Sequence, residues 1–309
     1  MANRIILAGG SGFIGRALAD RLVSRGDEVI VLSRNPQQSQ TKLSSDVKII
    51  GWDGNSVQEW VDAIDGAQAV VNLVGENLAS LRWTKNKKSK IVQSRIRAGQ
   101  VLVAALQRTT TKPALFVQTS GIGYYGSPGD KLLDEWSPIG AGFMPGVALQ
   151  WEKSIAPVVE MGLRTIIIRS GLVLAKDSGF LKMVSLPFRF FVGGHLGSGK
   201  QWLSWIHLED EIAAIVHLMD NQQASGIFNL CSPNPVQAKE FFRELGKAIH
   251  RSSWFHVPGL FLRVMLGEIA DEIILVSQRA TPKKLLQTGF DFKYASLTAA
   301  FQNIYSSDA

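Results

Sequence analysis

Gly9, Gly12 and Gly15 are spaced so that a chain can turn tightly, bring its backbone close to a bound anion and pack a helix against the preceding strand. The run Arg4-Ile5-Ile6-Leu7-Ala8 ahead of them is short, β-branched and apolar, as a buried parallel strand should be. Behind them Ile14, Leu18 and Leu22 recur at helical spacing, and Gly26 stands where a C-cap belongs. A helix starting at this turn aims its free N–H groups at a pyrophosphate. A plain strand-to-helix turn would show the same glycines, so the next strand must decide between the two. That strand, Glu28-Val29-Ile30-Val31-Leu32, ends in Ser33-Arg34. An Asp or Glu there would hold the free ribose hydroxyl of NAD and repel a 2′-phosphate, whereas Arg34 offers a fork of donors matched to phosphate. The pair favours NADP(H) over NAD(H), the bland alternative being a solvated loop arginine.

The elements that would position these residues alternate. Val47 to Ile50, Ala69 to Val74, Ala114 to Val117 and Thr165 to Ile168 read as further strands with helices between them. The expected fold is therefore α/β, a Rossmann-type doubly wound parallel sheet. Ligands of such sheets bind beyond the carboxyl ends of the strands, which singles out Asp53, Gly75, Thr119, Ser120 and the turn Arg169-Ser170-Gly171. Asp53 could accept from an adenine amino group or could only cap the turn at Gly54, and Gly75 would let backbone approach the adenosine half. A helix from about 87 to 108 carries Arg95, either an exposed charge or a group pointing back at the cofactor. Residues 121 to 145 are rich in Gly, Pro and Ser and form a loop long enough to be functional. A helix marked by Ala148, Trp151, Ile155 and Val159 follows it. Residues 1–175, rejoined by 209–232, are expected to make the dinucleotide domain, and 176–208 with 233–309 a smaller C-terminal α+β substrate lobe.

Other chemistries find less support. Gly194 to Lys200 spells GxxxxGK, but Gln201 replaces the magnesium-holding hydroxyl and an aromatic strand, 201 to 207, follows where a P-loop needs a helix. Five dispersed histidines make no metal motif. Gln118 stands where an esterase elbow around Ser120 would need glycine. The net charge of +7 is scattered rather than interleaved with aromatics, which argues against nucleic acid and for an anionic cofactor or substrate. No apolar run is long enough for a bilayer and no signal-peptide pattern opens the chain, so a cytoplasmic protein without membrane contact is expected. The one cysteine, Cys231, suits a reducing compartment and packing at a strand end. Oligomeric state is open, a homodimer included.

Asn72-Leu73-Val74-Gly75-Glu76, Ser94-Arg95, Gly123-Tyr124-Tyr125-Gly126, Trp151-Glu152, Ser204-Trp205-Ile206-His207 and Pro282-Lys283-Lys284 together carry a more specific signal than the glycines. With them the chain resembles the extended, atypical short-chain dehydrogenase/reductases over nearly its whole length, in the YfcH-like branch labelled "epimerase family protein". Pro258 to Phe292 matches that branch's C-terminal extension. The resemblance implies an NADP-binding Rossmann domain and a small substrate lobe. Carried over by position, it implies that Gly9, Ser11, Gly12, Phe13 and Ile14 line the phosphates and that Arg34 meets the 2′-phosphate. Leu73 and Gly75 would take the adenosine side, Thr119 and Ser120 the nicotinamide side.

One departure matters. The superfamily's acid/base pair is YxxxK, in which lysine lowers the tyrosine pKa. None of Tyr124, Tyr125, Tyr294 and Tyr305 has a lysine four residues on; if Glu152 takes its usual place, Met144 and Ala148 hold the tyrosine and lysine positions. Ser120 could hydrogen-bond a substrate oxygen, Tyr124 or Tyr125 could donate if the long loop folds over the nicotinamide, and Glu152 or Lys153 are further candidates. Two functions follow. One is an NADP(H)-dependent oxidoreductase or epimerase-like enzyme on a small carbonyl or hydroxyl compound, held between Ser120, the loop and a lobe near Trp202 and His207. The other is a non-catalytic regulator that senses NADP(H) and signals to another protein.

Overall fold

Alternate side chains of the first strand enter different apolar layers. In β1 (Arg4–Ala8) Ile5 and Leu7 pack into one layer, Ile6 and Ala8 into the other. β2 (Glu28–Ser33) repeats this with Val29 and Val31 against Ile30 and Leu32. A strand buried on both faces needs helices above and below, and that requirement produces the doubly wound arrangement. The computed structural model describes residues 3–57, 60–78, 82–176 and 179–306. Its main sheet continues with β3 (Lys48–Gly51), β4 (Ala69–Asn72), β5 (Leu115–Gly121), β6 (Arg164–Ser170) and β7 (Gly226–Leu230). The seven strands lie in the order β7-β6-β5-β4-β1-β2-β3, every neighbouring pair parallel. This is the expected Rossmann-type sheet, with its switch point between β1 and β4.

Helix α1 (Phe13–Ser24) buries Leu18, Ala19 and Leu22 in one layer, and α2 (Lys85–Arg108) buries Ala98, Leu102, Ala105 and Leu106 in the other. The layer of α1 also takes α4 (Leu208–Asp220) through Ile212, Ile215 and Leu218. Between them in sequence, α3 (Phe143–Lys153) packs beside β5.

Several element boundaries differ from the sequence reading. β5 runs on through Thr119 and Ser120, which were placed beyond its end, because Thr119 and Ser120 still pair with Ile168 and Arg169 of β6. The helix marked by Ala148 to Val159 is two, Phe143–Lys153 and Ala156–Glu160, divided just ahead of Pro157, whose ring cannot continue the first. Residues 121 to 145 are not one open loop: a 3₁₀ turn, Ile122–Tyr125, and a short strand, Leu132–Leu133, interrupt it, and α3 begins before its end. The aromatic strand at 201 to 207 is split into Trp202–Leu203 and Trp205–His207, which pair with different partners.

A third apolar cluster lies outside the sheet. It joins Phe188 and Trp205 to Phe241, Phe242 and Phe301, carried by the helices Gly179–Arg189, Ala238–Ala248 and Leu297–Tyr305.

The crossover from β1 to α1 tolerates no side chain at two points. Gly9 has φ +80, and a Cβ there would come 2.9 Å from the Leu73 carbonyl carbon. A Cβ on Gly15 would fall 2.6 Å from Gly10 Cα, backbone against backbone. Gly15→Ala is therefore expected to lower unfolding free energy by about 1–3 kcal/mol in urea titrations, the range for an overpacked core. Gly146→Ala, whose Cβ would meet nothing within 4 Å on helix α3, is expected to gain roughly 0.5–1 kcal/mol instead.

Candidate functional site

Two hollows open along the carboxyl edge of the sheet. The first, a groove of about 600 Å³, spans the ends of β1, β2 and β4 and is lined by Gly9, Ser11, Gly12, Ser33, Arg34, Asp53, Leu73 and Gly75. Most of the residues named for a dinucleotide thus share one wall. Four cations, Arg34, Lys42, Lys90 and Arg97, face it against two carboxylates, Asp53 and Glu76. Glu76 is already paired with Lys87 at 2.8 Å, and that hydrogen bond, with lesser help from Arg34 and Lys90, holds its pKa below the usual range. The groove is thus net cationic.

Its finer fittings vary. Asp53 accepts from the Asn55 and Ser56 N–H groups at 2.8 Å each, so it caps the turn as well as lining the groove. Ser33 is buried, its hydroxyl 2.6 Å from that of Ser39. Phe13, Ile14 and Gly15 form the first turn of α1 and are not among the lining side chains; Gly15 is packed underneath. Thr119 Oγ1 donates to the Asn72 carbonyl at 2.8 Å, tying β5 to β4. Arg95 is neither exposed nor in the groove. Its guanidinium lies 4.7 Å over the Trp151 ring and donates to the Ile91 and Glu76 carbonyls, so close behind Gly75 that a Cβ there would meet it at 3.0 Å. Burial lowers its pKa to about 10.

The second hollow, a cavity of about 230 Å³, lies at the ends of β5 and β6, under the C-terminal lobe. Gly121, Ile122, Met144, Ser170, Leu172, Phe180, Gln201, Trp202 and Glu272 are among the residues around it. Trp202 is where the sequence put it. His207 is not: it is buried, and its Nδ1 accepts from the Glu209 N–H to cap α4.

The three catalytic candidates belong to a buried network beside this cavity rather than to its wall. Ser120 Oγ donates to Glu152 Oε1 at 2.7 Å. Arg169 grips the same carboxylate with two bonds of 2.8 Å, and its third nitrogen donates to Tyr125 at 3.1 Å. The Tyr125 hydroxyl donates in turn to Asn229 Oδ1 at 2.8 Å. Tyr125 is 2% exposed, and burial pushes its pKa up to about 12 despite Arg169. It therefore does not donate from a loop folded over the cofactor; its ring is locked under the sheet edge. Tyr124 lies with its ring 3.4 Å from the Arg169 guanidinium, a cation–π contact. Burial disfavours the charge of Arg169, but the bidentate Glu152 outweighs it and keeps the guanidinium ionised.

A hydroxyl that does reach the cavity is Ser170, the last residue of β6. Its Oγ donates to Glu211 Oε1 at 2.6 Å. Glu211 is wholly buried, its other oxygen has no partner, and desolvation raises its pKa to about 8, so it is mostly neutral at pH 7. Sequence reasoning marked Ser170 only as a strand-end residue and passed over Glu211 in the run Glu209-Asp210-Glu211. Its signal was positional: Glu211 shares a helix face with buried Ile215 and Leu218. Glu272, also unforeseen, accepts from the Phe143 and Met144 N–H groups at 2.9 Å each and so caps α3. Gly142 leaves room for this carboxylate, since a Cβ would lie 2.7 Å from it.

Among the described residues no group of three His, Cys, Asp or Glu could hold a metal, and no helix is long and apolar enough to cross a membrane. Cys231 is buried with Ile122 and Ala280. The groove fits a dinucleotide by its own geometry: Gly9 lets the crossover lie against the Leu73 backbone at the groove, α1 starts there, and cations line the ribose end.

Comparison with known proteins agrees. Residues 5–142 match the NAD dependent epimerase/dehydratase family, and residues 257–304 match a domain of unknown function (DUF1731). The chain is 36% identical over 296 residues to the epimerase family protein ML0860 of Mycobacterium leprae, covering 96% of this chain and 94% of that one. The crystal structure of human epimerase family protein SDR39U1 (isoform 2) with NADPH superposes with a TM-score of 0.87 at 29% identity, over 98% of this chain and 99% of that one. A nucleoside-diphosphate sugar epimerase from Corynebacterium glutamicum reaches 0.79 at 27% identity, over 99% of this chain and 59% of that one. The chain belongs to the epimerase family proteins, an extended short-chain-dehydrogenase-like branch that carries this C-terminal extension.

Proposed function

We propose that the protein is an NADP(H)-dependent oxidoreductase or epimerase-like enzyme acting on a small carbonyl or hydroxyl compound in the cavity at the ends of β5 and β6. The observation that carries this reading is the division of labour along one sheet edge, a cationic groove over β1, β2 and β4 and a smaller, mainly apolar cavity next to it over β5 and β6. Arg34 would hold the 2′-phosphate, with Lys42 and Lys90 strengthening the field. Gly9, Ser11 and Gly12 would bring backbone N–H groups to the pyrophosphate, and Leu73 with Gly75 would flank the adenosine. The NADPH recorded with the human relative supports the choice of the phosphorylated dinucleotide.

A reduced nicotinamide at such a site supplies a hydride to a carbonyl carbon, and its oxidised form accepts one from an alcohol. The chain must supply the proton that the carbonyl oxygen takes up. Ser120 is poorly disposed to do so, because its hydroxyl is committed to the Glu152 carboxylate that Arg169 also holds. Ser170 is on the cavity wall, and although its hydroxyl donates to Glu211 at rest, the neutral Glu211 carboxyl can reverse that 2.6 Å bond by turning its own proton toward Ser170 Oγ, which frees the serine proton for the substrate oxygen. In this assignment Ser170 touches the substrate oxygen and Glu211 is a positioning residue and proton reserve.

The regulatory reading draws on one observation: Met144, which would stand at the superfamily's tyrosine place if Glu152 keeps its usual one, lies on the cavity wall and carries no proton to give. Stereospecific loss of deuterium from C4-labelled NADPH in a metabolite mixture would decide for the enzyme, and redox-dependent affinity for a protein partner without such loss would decide for the sensor.

Arg34→Ala is expected to weaken NADPH binding by roughly 10- to 100-fold, the value of one or two charge-assisted bonds, and to leave NADH affinity unchanged in parallel calorimetry. Equal effects on both would remove Arg34 from 2′-phosphate recognition. Glu211 gives a pH-dependent expectation. The unfolded chain releases this proton near the ordinary 4.5 and the folded one near 8, so the native state loses stability as pH rises through that window. Glu211→Gln keeps the neutral shape, so its melting temperature should match the parent at pH 5 and exceed it by several degrees at pH 9.

A further inference from the structure

The walls of the β5/β6 cavity sort substrates by charge. Most of its lining is apolar, with Ile122, Met144, Leu172, Phe180, Leu203 and Phe242, and among the described residues no Lys, Arg or His is part of it. The polar groups present are nearly all committed to the protein. Ser204 Oγ donates to the Gln278 carbonyl at 2.7 Å and accepts from the Ala280 N–H at 2.8 Å. Gln278 Nε2 donates to the Ile122 and Gly126 carbonyls, and both Glu272 oxygens cap α3. Gln201 differs. Its Nε2 donates to the Leu196 carbonyl at 2.8 Å, while its buried Oε1 has no partner. An unsatisfied buried acceptor costs about 1–3 kcal/mol, which a hydroxyl donor inside the cavity would recover.

A diphosphate or carboxylate placed here would be stripped of water beside the Glu272 carboxylate, with no cation to compensate. The volume, about 230 Å³, is also below the roughly 300–1,000 Å³ typical of sites for drug-sized ligands. The contrast with the adjoining groove, where four cations gather, is internal to the molecule. The geometry points to an uncharged, mainly apolar substrate of ring or short-chain size, bearing a hydroxyl that donates to Gln201 Oε1 or a carbonyl that accepts from Ser170, and not to a nucleotide-linked sugar. This deepens the proposed function and rests on it for the placement of the cofactor.

Calorimetry on the full chain saturated with NADP⁺ tests it, with 4-tert-butylcyclohexanol, 4-tert-butylcyclohexanone, UDP-glucose and UDP as probes. The cyclic alcohol and ketone are expected to bind, and UDP-glucose and UDP to give no heat. Leu203→Asp is expected to weaken the cyclic probes at least tenfold with NADPH affinity retained. Gln201→Met should weaken the alcohol more than the ketone. Binding of UDP-glucose at higher affinity than the cyclic probes, or absence of cyclic-probe binding by the parent chain, overturns the inference whether or not the variants fold. NADPH titrated alone separates the two levels: its failure to bind removes the proposed function, whereas NADPH binding with UDP-glucose in the cavity removes only the substrate class.

Discussion

The pairing of Arg169 with Glu152 is the contact on which the site depends. Both side chains are nearly sealed from water, 2% and 9% exposed, and each alone would be a buried charge of prohibitive cost. Together they bind β6 to α3, and through Ser120 and Tyr125 they reach the end of β5 and the 3₁₀ turn after it. Asn229 of β7 closes the chain of bonds. Four consecutive pieces of the sheet's carboxyl edge are thereby held in one register by a network that tolerates little partial loss, since removing one partner strands the other. The residues that sequence reasoning marked as chemical are, in the fold, largely the residues that keep this edge rigid. A rigid edge is what lets the neighbouring cavity have definite walls.

The C-terminal extension completes those walls from the outside. Glu272 satisfies the free N–H groups at the start of α3, Lys88 of α2 pairs with Glu268 at 2.7 Å, and Ser277 donates to the Gly129 carbonyl. Each bond crosses from the extension to an element of the larger domain. The exposed ion pair contributes little by itself. The Glu272 cap is stronger in kind, because a carboxylate at a helix N-terminus gains from two charge-assisted bonds and from the helix dipole at once. Without the extension, α3 would begin with unsatisfied donors beside Met144, and the cavity would lose Glu272, Ile273 and Ile274 from its lining.

The sheet was legible because its signal is redundant. The strand 28–32 has β-branched and leucine side chains buried on both faces, the strand 226–230 buries Phe228 and Leu230 on one face and Asn229 on the other, and at the glycine crossover a Cβ on Gly15 would fall 2.6 Å from Gly10 Cα. The groove was legible for a related reason: strand ends in such sheets are ligand positions whatever the sequence between them. Ser120, Tyr124 and Tyr125 were correctly sensed as special, but their direction was not readable, because a hydroxyl aimed at Glu152 and one aimed at a ligand have the same sequence. Their hydrogen-bond partners, Glu152 and Arg169, stand 32 and 44 residues further along the chain. Glu211 hid in an acidic first turn that resembles ordinary helix capping, and Glu272 acts across the boundary between lobes, where no local pattern could announce it.

The absent tyrosine–lysine pair bears on how a proton is handled. A phenol beside an ammonium is activated by a nearby positive charge, and such a charge beside this cavity would have to be desolvated among Ile122, Leu172 and Phe180. With Glu152 at the superfamily's usual place the chain would have Met144 and Ala148 there, and among the described residues no cation lines the cavity. A carboxyl held neutral by burial and bonded to a serine can hold a proton near pH 7 with no charge beside the substrate, which is the state that apolar walls favour. The same walls also discriminate between nicotinamide forms, because the oxidised ring carries a positive charge and the reduced ring does not. An apolar neighbour therefore favours the reduced ring, which in an enzyme favours transfer of hydride from an alcohol to the oxidised ring and which supplies the differential affinity that a sensor requires. Both readings thus draw on one physical property, the absence of a cation from the described lining of the cavity at the ends of β5 and β6. They part only at the proton, which an enzyme must deliver and a sensor need not, and the neutral pair Ser170–Glu211 has no evident use in sensing.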